Sequence, residues 1–123
     1  MELCDQTIHQ LHRRRGTGEI STVEIVRSVL ARLEKVEPTV HAFISVQAEG
    51  ALERAEQADA ELAGGGRISP IAGMPLAIKD IFVTQGIPTT CGSRILRDFR
   101  PPYDATVVER LKAHGLNLIG KTN

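Results

Sequence analysis

Lys79 and Asp80 interrupt an apolar run, with Leu76, Ala77 and Ile78 before them and Ile81, Phe82 and Val83 after. The apolar residues occupy both alternating faces, which predicts a strand buried on both sides within a helix-covered sheet. Successive strand side chains point to opposite faces, so Lys79 and Asp80 are not expected to pair with each other. Burying an ammonium is costly, and lysine is seldom buried without a partner. A lysine held in such a place has its pKa lowered and becomes a general base near neutral pH. The plainer alternative is a strand-end lysine whose head reaches water along its own stem.

Other residue groups invite chemistry less well. Gly115-Leu116-Asn117-Leu118-Ile119-Gly120-Lys121-Thr122 matches the letters of a phosphate-binding loop. That loop must follow a strand and open a helix, with its amides turned inward. Here the first glycine follows a helical pattern and Leu116 to Ile119 reads as the strand itself, so no nucleotide site is expected. Gly64-Gly65-Gly66 is a loop. His9 and His12, one helical turn apart with Cys4 nearby, have metal-ligand character, but surface histidines at this spacing are common and no metal is expected. Cys91, beside Gly92 and Ser93, has no histidine placed locally as its base, although His41 and His114 lie elsewhere in the chain; it reads as a small structural cysteine.

The elements that must carry these residues are legible from periodicity. Thr7 to Arg15 predicts a short helix with Ile8 and Leu11 on one side. Ser21 and Glu24 form a capping box for a second helix, whose Val26, Val29, Leu30, Leu33 and Val36 recur at helical spacing until Pro38. Val40 to Val46 reads as extended. A third helix is predicted from Ala48 to Leu62, with Ala51, Leu52, Ala55, Ala58 and Leu62 inward and Gly64 as a left-handed cap. Pro70, Gly73 and Pro75 introduce the Lys79 strand, and Gly86 with Pro88 ends it. Thr89 to Ser93 is a polar loop. Asp104 is placed to cap a fourth helix with Val107, Val108 and Leu111 inward, Gly115 stops it, and Leu116 to Ile119 is a second strand. Helices followed by strand–helix–strand predict an α/β fold with amphipathic helices packed on a sheet. Residues 1–123 read as part of one domain, helical over 1–66 and strand–helix–strand over 67–123. A stop at Asn123, directly after a strand, leads us to expect a piece of a longer protein.

Composition excludes several classes. The chain has 123 residues, 41% hydrophobic and 24% charged, which is ordinary globular composition. Fifteen basic and fifteen acidic residues cancel, and aromatics make up 3% with no tryptophan, so neither an electrostatic nor a stacking platform for nucleic acid is indicated. No apolar run is long enough to span a bilayer. Glu2 and Asp5 precede Arg13 to Arg15, unlike a transit peptide, and two cysteines are too few for a disulfide framework. A cytoplasmic setting is expected.

The order of the pieces carries a resemblance. Gly73-Met74-Pro75-Leu76-Ala77-Ile78-Lys79-Asp80, then Thr89-Thr90-Cys91-Gly92-Ser93, then Tyr103-Asp104-Ala105-Thr106-Val107-Val108, then Ile119-Gly120-Lys121-Thr122-Asn123 resembles the amidase signature family. Within it, the wording from Pro101 to Lys112 is most similar to the A subunits of tRNA-dependent amidotransferases. The resemblance implies the N-terminal part of the amidase signature fold, with helices on a mixed β-sheet and the fold incomplete over 1–123. It also implies a serine hydrolase built on a lysine, a serine in a cis peptide bond and a nucleophilic serine, with Lys79 in the lysine's place. In such A subunits the reaction releases ammonia from glutamine. The B and C subunits are the implied partners; tRNA, ATP and magnesium belong mainly to the B subunit, and no cofactor is expected in this chain. The Gly/Ser-rich segment carrying both serines has no counterpart here, so this stretch alone is expected to be inactive. A free-standing amidase of the same family, and a non-catalytic fragment acting as a binding piece, are the two other readings.

Overall fold

A computed structural model describes residues 1–123. The helices are α1 (Ile8–Gly16), α2 (Thr22–Val40), α3 (Ala48–Ala63) and α4 (Thr106–Ala113); the strands are β1 (Phe43–Val46), β2 (Pro75–Lys79) and β3 (Asn117–Thr122). Short 3-10 turns at Leu3–Asp5 and Arg94–Leu96 complete the order, and neither is marked by periodicity. The strands form one mixed sheet in the order β1-β3-β2, with β1 antiparallel and β2 parallel to β3. Parallel neighbours need a long crossover, and α4 lies within it.

Consecutive residues of β3 send their side chains to different layers. Ile119 packs with Val26 of α2 and with Ala51 and Ala55 of α3, where the small alanines let the helix approach closely. Leu116 and Leu118 pack instead with Ile78 of β2 and Val108 of α4. A third cluster of Leu11, Ile20, Ile25 and Met74 seats α1 against the start of α2 and the approach to β2. Arg15, buried in that region, donates to Thr22 Oγ1 and to the Pro70 and Ala72 carbonyls. Burial pulls its guanidinium below the ordinary value, and Asp59 opposes that shift.

The capping box at Ser21 forms as read: Glu24 N–H donates to Ser21 Oγ at 3.1 Å, and Ser21 N–H donates to Glu24 Oε2 at 2.8 Å. Other boundaries differ. The α2 helix runs past Pro38 to Val40, and the break comes at His41, whose φ of 52° sets the left-handed cap while its N–H still bonds Glu37 O. Gly64 keeps φ −75° and Gly65, at φ 76°, takes the left-handed turn after α3. Asp104 does not cap α4, whose N-cap is Ala105; its carboxylate accepts from Gln85 N–H and Lys112 Nζ, tying the loop to the helix flank. Ile8 and Val107, expected inward, are 39% and 42% exposed. No helix is long and apolar enough to cross a membrane.

Candidate functional site

The β2 strand is shorter than its apolar run, and it is covered on one side. Lys79 O accepts from Phe82 N–H at 3.1 Å, so the chain turns as soon as the strand ends, leaving Ile81 and Phe82 53% and 39% exposed. Along the strand, Ile78 and then Asp80 just beyond it are buried, while Ala77 and Lys79 are exposed. The expectation of burial on both faces is therefore corrected. Lys79 stands at the strand end, exposed, in no ion pair and donating no hydrogen bond to the protein. Its backbone is nonetheless fixed, in register with Thr122 of β3.

The buried lysine is Lys121. Its side chain is fully buried and lies 3.2 Å from Asp80 Oδ1. The ammonium also donates to Phe82 O at 2.9 Å and to Thr89 Oγ1 at 3.3 Å. Asp80 Oδ2 accepts from Thr90 N–H at 2.9 Å and from Thr90 Oγ1 at 2.6 Å. A charge this deep is tolerable only when paired and hydrogen-bonded, and both conditions hold.

The pairing depends on an irregularity in the strand register. Leu76 pairs with Leu118, but Ala77 pairs with Gly120, so Ile119 is one residue too many in β3. Bulges are rare between parallel strands. The extra residue changes the parity of the residues after it, and Lys121 comes to lie opposite Ile78, on the side of Asp80. In a regular register, with Ile119 opposite Ala77, Lys121 would stand opposite Lys79 on the same face, placing two ammonium groups side by side.

The same strand removes the phosphate-loop reading, because Gly120, Lys121 and Thr122 are extended β3 residues and Lys121 is committed to Asp80. Gly120 is needed for another reason: a Cβ there would lie 2.3 Å from Ser45 O and 2.8 Å from a Phe43 ring carbon. His9 is exposed and His12 half-buried, and no group of three or more His, Cys, Asp or Glu forms that could hold a metal. Cys91, read as a structural cysteine, is exposed at φ 52° in the turn after Thr90. The largest depression, about 470 Å³, is walled by Thr90, Gly92, Ser93, Arg94, Arg97 and Asn123 among others, and Lys79 is not in its wall.

Of the two placements considered for Lys79, buried within the strand or exposed at its end, the structure shows the second. Lys121 enters the sequence reading as part of a phosphate-loop pattern and of the last motif of the resemblance, and its burial is missed in both. The overlooked signal is Asp80 itself: a carboxylate in an apolar run needs a cation, and the Thr89-Thr90 pair downstream supplies hydroxyls for the same pocket.

Comparison with known proteins adds to this geometry. Residues 24–123 match the family model described as Amidase. The whole chain is 54% identical to the glutamyl-tRNA(Gln) amidotransferase A subunit of Geotalea daltonii, covering 25% of its length. It is 48% identical over 122 residues to the protein of that name from Acidothermus cellulolyticus, covering 24% of it. Among solved structures, the native peptide amidase from Stenotrophomonas maltophilia is similar with a TM-score of 0.85 and 31% identity, over 100% of this chain and 24% of that one. An amidase family protein from Bacillus anthracis is similar with a TM-score of 0.88 and 27% identity, over 98% of this chain and 24% of that one. The chain thus spans about a quarter of the length of the curated relatives it matches.

Proposed function

Since this chain belongs to the amidase family, we propose that the protein containing it hydrolyses the side-chain amide of glutamine and supplies ammonia for amidation of glutamyl- or aspartyl-tRNA. The observation that carries this reading is Lys79, an amine without protein partners on a strand end whose neighbour Asp80 is held by buried contacts. A proton acceptor in an amidase must be free of competing salt bridges and held in one place. Lys79 meets the first requirement, and its backbone is fixed in register with Thr122, whereas Lys121 is buried and engaged by Asp80.

Lys79 accepts, through a bridging serine, the proton that a nucleophilic serine loses on attacking the amide carbonyl, and returns it to the departing ammonia. No serine among residues 1–123 matches either partner in the resemblance, so this stretch alone gives no turnover. The B and C subunits of the amidotransferase are the partners; tRNA, ATP and magnesium are handled by the B subunit, in the cytoplasm. The 54% identity to an amidotransferase A subunit, against 31% to a peptide amidase, favours this over a free-standing amidase.

The test is glutamate release by the full-length protein with its partner subunits. Lys79→Ala is expected to lower it by about a hundredfold to ten-thousandfold and to leave the complex assembled. Normal turnover in that variant overturns the assignment, and efficient hydrolysis of unrelated amides without the partners supports the free-standing amidase instead.

A further inference from the structure

We propose that Lys121 and Thr90 are positioning residues for Lys79, acting through Asp80; this rests on the catalytic reading of Lys79 above. Asp80 is hydrogen-bonded at its N–H, its carbonyl and one carboxylate oxygen, and its other carboxylate oxygen, without a hydrogen bond, lies in the ion pair. Its N–H donates to Thr122 O at 2.7 Å and its carbonyl accepts from Cys91 N–H at 3.1 Å. One carboxylate oxygen takes both the amide and the hydroxyl of Thr90, and the other faces the Lys121 ammonium at 3.2 Å. The residue after Lys79 in the chain therefore has no freedom of its own.

The clamp continues into the turn. Lys121 Nζ donates to Phe82 O and to Thr89 Oγ1, and Thr89 Oγ1 accepts from Thr84 N–H at 3.3 Å. A single buried ammonium thus ties the turn after Lys79 to the loop that folds back beside it. Buried ion pairs are a poor source of stability, because well-packed apolar residues of similar volume serve as well or better. Apolar residues there would leave the Phe82 carbonyl and the Thr90 amide without these partners. What the charged pair provides is a defined exit for the chain at Lys79, and displacement of a catalytic group by about 1 Å costs on the order of a hundredfold in rate.

The test uses the full-length protein assembled with its partner subunits, with steady-state glutamine hydrolysis of Thr90→Val, Thr90→Ser, Lys121→Met and Lys79→Ala. Thr90→Val keeps the volume and removes the hydroxyl, so it probes the clamp even where Lys121→Met fails to fold. We expect Thr90→Val to lower kcat about tenfold with KM within about twofold, the pattern of lost positioning rather than lost binding. Thr90→Ser, which keeps the hydroxyl, restores kcat, and Lys121→Met lowers it further. Equal kcat in Thr90→Val and Thr90→Ser, or a loss that tracks the folded fraction measured on the same samples, overturns the inference. Turnover retained by Lys79→Ala overturns the catalytic reading itself. Loss in Lys79→Ala with parental kcat in both Thr90→Val and Lys121→Met overturns the positioning role alone.

Discussion

Lys121 and Asp80 meet at 3.2 Å between two parallel strands, with the lysine side chain fully buried and the aspartate side chain 2% exposed. The pair exists because Ile119 is an extra residue in β3, which turns Lys121 away from Lys79 and toward the carboxylate. Two lysines that a regular register would crowd together are thereby assigned to opposite sides of the sheet, one paired and one free.

Removing one partner of that pair leaves the other charged and buried. Lys121→Met in the full-length protein is expected to destabilise it by about 3–5 kcal/mol. The double variant Asp80→Asn with Lys121→Met should lose less than the sum of the singles, because no lone charge remains. Urea unfolding of the four proteins of this cycle measures the coupling, and strict additivity contradicts it.

Lys79 is exposed and unpaired, so its truncation has a different signature. Lys79→Ala should change stability by no more than about 0.5 kcal/mol. Amide hydrolysis should nonetheless fall by about a hundredfold to ten-thousandfold, the contribution of a positioned proton acceptor. Thermal unfolding and glutamate release on one preparation separate the two effects.

Gly120 of β3 stands opposite Val46 of β1. Gly120→Ala would force its Cβ against Ser45 O, a backbone atom that cannot rotate aside. Overpacking of this kind costs about 1–3 kcal/mol or more. The amides of β1 and β3 should then lose hydrogen-exchange protection before those of α4.

The acid limit of the first half should be set partly by Glu24. Hydrogen bonds from the Ser21 N–H and then the Ser21 hydroxyl hold its carboxylate below the ordinary value of 4.5. At Asp104 burial acts to raise the value, but Lys112 and the Gln85 N–H outweigh it and leave the group below 3.8. Both are depressed in the folded state, so their contribution is present above the ordinary values and is lost as pH falls through the lower, folded ones. Glu24→Gln and Asp104→Asn should therefore flatten the fall in melting temperature with acid below about pH 4.5. Identical acid profiles in parent and variants would count against these assignments.

Much of the scaffold is readable from residue order, because the signals are local. The Ser21–Glu24 box, the alanine stripe of α3 and the Gly115 stop each act over one or two helical turns, and each appears where its pattern lies. Boundaries are less legible where a distant partner decides them. Asp59 of α3 accepts from the Thr22 and Val23 N–H groups at 2.7 and 3.1 Å, so α2 has a cap supplied from 36 and 37 residues away. Asp104 is drawn from the α4 cap by Gln85 and Lys112 in the same way.

Residue order alone establishes the α/β class, the strand that carries Lys79 and the family resemblance, since periodicity, caps and motif order are properties of neighbouring residues. Which lysine is buried is a different kind of fact. Burial depends on which strands pair, in what register and under which helix, and none of these is local. One extra residue in β3 is enough to send Lys121 inward to Asp80 while Lys79 remains exposed.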